Sequence, residues 1–127
     1  MKTHGRQWLA GLLEGEGCFV GCYGQSQTMT PGISLAMTDE DVVLMARDLM
    51  TQIGGREIQP RGRKLYSGKT VYTVLLTGLP AVKVMVAVHP YMGARRAAKI
   101  LSLITAWHPK KYRAAVQYRK EMMPQWL

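Results

Sequence analysis

The sequence predicts an α+β fold: one antiparallel sheet with helices on one face and the other face left for a partner. Two observations predict it. Hydrophobic spacing alternates between helical and strand-like along the chain, in the order helix, hairpin, helix, hairpin, then two or three helices. Such an order suits a single sheet covered on one side. A length of 127 residues with 47% apolar composition supplies one real core and too little for two. Residues 1–127 are therefore read as one domain, with its core at about 7–106 and a basic helix at about 110–123.

Each element has a local reason. Residues 7–14 place Trp8, Leu9, Leu12 and Leu13 at helical spacing and end in Gly15-Glu16-Gly17. Residues 18–23 alternate Phe19 and Tyr23 with Val20 and Cys22; after a polar turn over 24–31, Ile33, Leu35 and Met37 resume the alternation on one face. Thr38 before Asp39, Glu40 and Asp41 marks a helix start, with the hydroxyl capping free amides and the carboxylates at the positive end of the dipole. That helix runs to about Ile53, where Gly54 and Gly55 stop it.

A second hairpin is predicted from residues 56–60 and 70–76. The basic segment 61–69 joins them, with a turn at Ser67-Gly68. Pro80 suits the first turn of a helix over 79–88, and His89-Pro90 ends it. Residues 93–107 form another helix, with Ala97, Ile100, Leu101 and Ile104 on one face and Arg95, Arg96 and Lys99 opposite or flanking. Pro109 closes it, and the last helix, 110–123, is basic and amphipathic. The unit is not repeated within the chain, so a second copy must come from another chain.

Charge is unevenly placed. Seventeen Lys and Arg against eight Asp and Glu give a formal charge of +9, which favours a polyanionic partner. Between Glu57 and Glu121 there is no acid, whereas thirteen basic residues lie in that stretch. A membrane role is disfavoured, because no apolar run approaches the roughly 20 residues needed to span a bilayer. The polar start and the acids at Glu14 and Glu16 are unlike a secretory signal. Cys18 and Cys22 are four apart on a predicted strand, about 13 Å, too far for a disulfide. They are expected as free thiols, since His4, His89 and His108 lack the spacing of a zinc site.

The segment Leu9-Ala10-Gly11-Leu12-Leu13-Glu14-Gly15-Glu16-Gly17 carries most information. Each glycine in a helix interior costs up to about 1 kcal/mol relative to alanine, so Gly11 and Gly15, four apart, imply a backbone packed very close. A second copy of the same helix meets that need. Glu14 and Glu16 stand at the helix end that the dipole disfavours for carboxylates. Paired about a two-fold axis, the two copies of Glu16 approach each other, and hard divalent cations would relieve the repulsion. Paired glutamates beside a basic surface suggest phosphodiester hydrolysis.

This segment resembles the motif that names the LAGLIDADG homing endonucleases, with glutamate at both acidic positions. Two further stretches are similar to that family: residues 33–42 at its strand-to-helix junction, and residues 89–99 where it brings a basic residue to the scissile phosphates. The match covers about residues 7–106. The resemblance implies an αββαββα core whose sheet is a DNA-binding saddle, followed by C-terminal helices. It also implies a homodimer joined through the motif helix by Leu9, Gly11, Leu12 and Gly15, which cuts both strands of a long pseudo-palindromic double-stranded DNA site.

By the same resemblance, Glu16 and the Gly15 carbonyl bind metal, most simply Mg²⁺, with Mn²⁺ or Ca²⁺ able to take the same site. Glu14 has a supporting role, Asp39 a place next to the ligands, and Arg95 aligns with the basic residue at the phosphates, with Arg96 and Lys99 as alternatives. Because a β-ribbon can enter the major groove, the hairpins supply candidate DNA contacts: Tyr23, Gln25, Gln27, Thr28, Thr30, Arg56, Gln59, Arg61, Arg63, Lys64 and Lys69. Proteins of this fold also act as intron maturases that bind RNA and as non-cleaving regulators, so both stay open beside intron homing. An intracellular setting is expected, in a prokaryote or phage-infected cell, or in an organelle.

Overall fold

The computed structural model describes residues 3–23 and 28–126 of the chain. Helix α1 (Thr3–Glu16) leads without a loop into β1 (Gly17–Tyr23), and β2 (Met29–Met37) returns antiparallel to it. Helix α2 (Glu40–Gly54) follows, then β3 (Arg61–Lys64) and β4 (Thr70–Thr77). The buried α3 (Leu79–Val88), a single 3-10 turn (His89–Tyr91), α4 (Ala94–Ala106) and α5 (Arg113–Trp126) complete the described residues. The sheet order is β1-β2-β4-β3, antiparallel throughout.

Register explains the single core. Phe19 pairs with Ile33, Ile33 with Leu76, and Leu35 with Val74. Side chains alternate across a strand, so these residues share one face, and all of them are buried. Leu9 and Leu13 of α1, Val43, Ala46 and Met50 of α2, most of α3, and Ile100, Leu103 and Ile104 of α4 close over them. The opposite face carries Cys18, Ser34 and Leu75 in one cross-strand row and Ala36, Thr73 and Arg61 in the next. No described helix covers that side, and Leu75 is left 53% exposed there.

Several boundaries differ from those expected. Helix α1 starts four residues before the predicted position and ends at Glu16, because the sterically required glycine is Gly17. A Cβ there would lie 2.9 Å from both the Cα and the carbonyl oxygen of Leu13, so the chain can turn directly from helix to strand only with glycine. Strand β2 begins at Met29, inside the predicted turn, and tolerates Pro31. The Pro31 carbonyl accepts from Gly78 N–H at 2.9 Å, so its missing N–H faces the edge where β4 has already ended.

The α2 cap is Asp39 rather than Thr38, with no side-chain cap bond; Asp41 instead accepts from the Val42 N–H. Gly55, at φ 80°, stops the helix as expected by donating to the Thr51 carbonyl.

The third strand is not residues 56–60 but β3, within the segment expected to be a connecting loop. Residues 57–59 are held instead by side chains: Arg47 donates to Gln59, and Gln59 donates to Glu57. The turn beyond β3 closes where expected, with Gly68 at φ 88° donating to the Leu65 carbonyl. On α4 the buried face is Ile100, Leu103 and Ile104, whereas Leu101, expected inside, is 40% exposed. Helix α5 folds back on the helical layer: the Trp126 ring packs at a tilt against His89, and Lys83 lies over the Tyr118 ring. Arg119 donates to the carbonyls of Trp107 and Thr105, placing a cation at the negative end of α4. None of the described helices is long and apolar enough to cross a membrane.

Candidate metal and nucleic-acid site

The end of α1 is where the two acids of the motif part company. Glu14 turns back into the subunit. Its Oε1 accepts from the Gly93 N–H at 2.6 Å, at the start of α4, and its Oε2 lies 2.7 Å from Arg96 Nε. The positive end of α4 and a guanidinium thus offset the cost of a carboxylate near the C-terminus of α1. Arg96 also donates from Nη1 to the Gly17 carbonyl at 2.6 Å, and its side chain is only 17% exposed.

Glu16, the last helical residue, is exposed and has no ion pair among the described residues. The carbonyls of a helix's last turn lack intrahelical partners, so Gly15 C=O is a second oxygen at the same end. A carboxylate and a carbonyl are the hard oxygen donors that Mg²⁺ and Ca²⁺ accept, so the residues present fit such an ion. These two are a minority of a shell of six or more ligands, and no cluster of three His, Cys, Asp or Glu forms among the described residues.

The outward side of α1 continues from this corner. Trp8, Gly11, Leu12 and Gly15 recur at helical spacing, and a Cβ built on either glycine meets nothing within 4 Å among the described residues. Leu9, expected on this face, has 0% exposure and belongs to the subunit's own core. Trp8, at 37% exposure, takes that place on the outer surface.

Other expected site residues fall into groups. Gly17 pairs with Leu35, so Glu16, one residue before it, and Asp39, just past the end of β2, lie at the same end of the sheet. Arg95 and Lys99 are exposed and one turn apart on α4, and Arg95 is turned about 100° around the helix from Arg96. On the open face of the sheet, Arg61 and Arg63 flank Gly62, and Thr30 pairs with Cys22. The Arg61–Thr73–Ala36 row is level with Glu16, and β3 stands roughly 14 Å from β1, at about 4.8 Å per strand.

Lys64 has the opposite parity to Arg63. Tyr23 likewise shares its parity with the core residue Phe19, although at the strand end it is 72% exposed. Thr28 and Lys69 are exposed beside the hairpin turns. Arg56 donates to the Thr77 carbonyl at 3.3 Å, and Gln59 is bonded to Arg47 and Glu57. Gln25 and Gln27 lie outside the described residues. Sequence reasoning missed the Gly93–Glu14–Arg96–Gly17 constellation, because its halves are 79 residues apart.

No family model matches the chain, and no curated protein matches it in sequence. Solved structures do match in shape. One is the homing endonuclease I-CvuI in complex with its target in the presence of Ca, at 14% identity and TM-score 0.58, with 98% of each chain covered. Another is I-CvuI in complex with the I-CreI target in the presence of Mg, described as revealing DNA not cleaved, at 14% identity and TM-score 0.56, again over 98% of each chain. End to end, the chain has the fold of the LAGLIDADG homing endonucleases.

Proposed function

We propose that the protein is a site-specific homing endonuclease that binds a long, pseudo-palindromic double-stranded DNA site as a homodimer and hydrolyses one phosphodiester in each strand with a divalent metal. The observation that carries this reading is the corner at the end of α1. There, an exposed Glu16 with no ion pair among the described residues adjoins an open helix face of Trp8, Gly11, Leu12 and Gly15, as half of a two-fold site would. A second copy packed on that face brings its own Glu16 and Gly15 carbonyl to the first, and DNA phosphates supply further oxygen ligands. That I-CvuI is a homing endonuclease solved on DNA with Ca or Mg supports the same class of partner and ion.

Roles then follow from placement. Glu16 and the Gly15 carbonyl hold the ion, most simply Mg²⁺. When bound, a divalent ion supplies Lewis-acid stabilisation of the phosphoryl charge and an acidified water. Arg95 and Lys99, exposed on α4, hold the scissile phosphates by charge, and Asp39 orients water at the sheet's end. Arg61, Arg63 and Thr30 on the open sheet face, with Thr28 just before β2 and Lys69 just before β4, contact the bases and phosphates, and Gln25 and Gln27 are further candidates for the same role.

The test is incubation of wild type and Glu16→Gln with a randomised double-stranded library, in Mg²⁺ or EDTA, followed by sequencing of the ends. Specific ends that need both Glu16 and metal are expected. An intact library with one sequence enriched by both proteins would replace this reading with a non-cleaving DNA regulator. A preference for structured RNA that survives Glu16→Gln would replace it with a maturase.

A further inference from the structure

We infer that Glu14 and Arg96 are positioning residues for Glu16: together with Gly93 they clamp the α1–β1 junction to the start of α4 and fix the direction in which Glu16 and the Gly15 carbonyl leave the helix. The inference rests on the functional reading of Glu16 given above. Its basis is that the clamp holds the residues on both sides of the ligand pair. Glu14, before it, accepts from Gly93 N–H at 2.6 Å and pairs with Arg96 at 2.7 Å. Gly17, after it, receives Arg96 Nη1 on its carbonyl at 2.6 Å. One guanidinium therefore touches both flanks of Gly15-Glu16.

The surrounding backbone leaves little slack. A Cβ on Gly93 would stand 2.5 Å from Glu14 Oε1, and one on Gly17 would stand 2.9 Å from Leu13 Cα. Gly93 lets the start of α4 come up against the Glu14 carboxylate, and Gly17 lets β1 leave α1 tightly against the backbone of Leu13. The clamp also divides labour between adjacent arginines. Arg96 is spent inside the chain, and its charge offsets Glu14, which leaves Glu16 as the free acid and Arg95 as the cation facing outward. Partners that orient a metal ligand typically change metal affinity or activity by about 10- to 100-fold when removed.

The experiment compares wild type, Glu14→Gln, Arg96→Met, the double variant and the conservative Arg96→Lys. Three quantities are measured: amide hydrogen exchange over residues 14–18 in the free protein, affinity for the selected DNA target in EDTA, and the rate and Mg²⁺ midpoint of cleavage at saturating DNA. Expected for Arg96→Met are faster exchange at residues 15–18, EDTA affinity within about threefold of wild type, and cleavage slowed about 10- to 100-fold with a raised Mg²⁺ midpoint. The double variant should lose no more than the worse single one, and Arg96→Lys should recover part of the loss.

A rate and Mg²⁺ midpoint unchanged in Arg96→Met would overturn the inference. So would a cleavage loss that tracks lost affinity in EDTA, which would make Arg96 a phosphate contact instead. If wild type does not cleave, or Glu16→Gln cleaves as well as wild type, the functional reading fails by itself. The clamp is then judged by exchange, and unaltered exchange at residues 15–18 in Arg96→Met would refute it.

Discussion

Gly17 and Gly11 are both glycines of one motif, yet they answer to different neighbours. At Gly17 the obstacle is the backbone of Leu13, which cannot move aside, so Gly17→Ala should lower the stability of the isolated subunit by about 1–3 kcal/mol, the usual cost of overpacking. A shifted urea midpoint with an unchanged slope would show it. A Cβ at Gly11 meets nothing within 4 Å among the described residues. The roles of the two acids were not legible in sequence, because what separates them lies at Gly93 and Arg96. Resemblance alone singled out Glu16, whereas Leu9, expected on the outer face of the helix, lies in the core: adjacent helical positions are about 100° apart, and composition alone does not say which side meets the sheet.

Strands and helices differ in how clearly the chain announced them. Helix α3 was readable to the residue, since Pro80 and His89-Pro90 bracket an apolar run. Strand β3 left no signal: Arg61, Gly62, Arg63 and Lys64 are all exposed, so no apolar alternation marks them, and their extended state comes from pairing with β4. The sequence therefore placed a strand at 56–60, where side-chain bonds through Gln59 hold the chain instead. The register makes a prediction. Arg61→Gln with Arg63→Gln should reduce the slope of log affinity against log salt by about two, roughly one per lost phosphate contact, if both face the DNA. Lys64→Gln, on the other side of the strand, should change it less. Equal effects in a filter-binding salt series would place the DNA elsewhere than on the open face.

Across the molecule, the helical layer and the sheet's open face divide burial from contact, and the former can be tested without DNA. Burial raises the Tyr118 phenol above its ordinary pKa of about 10. Folding thus favours the protonated ring. Its contribution is full below the unfolded pKa and is lost as pH rises through the folded one. The stability difference between wild type and Tyr118→Phe should be flat up to about pH 10 and then move against wild type, followed by urea unfolding. The open face of α1 makes the other whole-molecule test. Gly11→Ala should leave the subunit as stable or up to about 1 kcal/mol more so, while weakening self-association in sedimentation velocity. Tighter association would exclude close helix packing at Gly11.

The antiparallel ladder also sets a ruler. Successive residues advance about 3.4 Å along a strand, so Arg61 and Arg63, two apart on one face, are separated by about 6.8 Å, twice the roughly 3.4 Å axial rise per base pair of a duplex. On the proposed reading each strand would meet alternate base pairs, and neighbouring strands would fill the gaps. Insertion of a single residue into the turn between Lys64 and Thr70, which sets the pairing of β3 with β4, would act as a frameshift, exchanging Arg61 and Arg63 for Gly62 and Lys64 on the open face without replacing any residue of either strand.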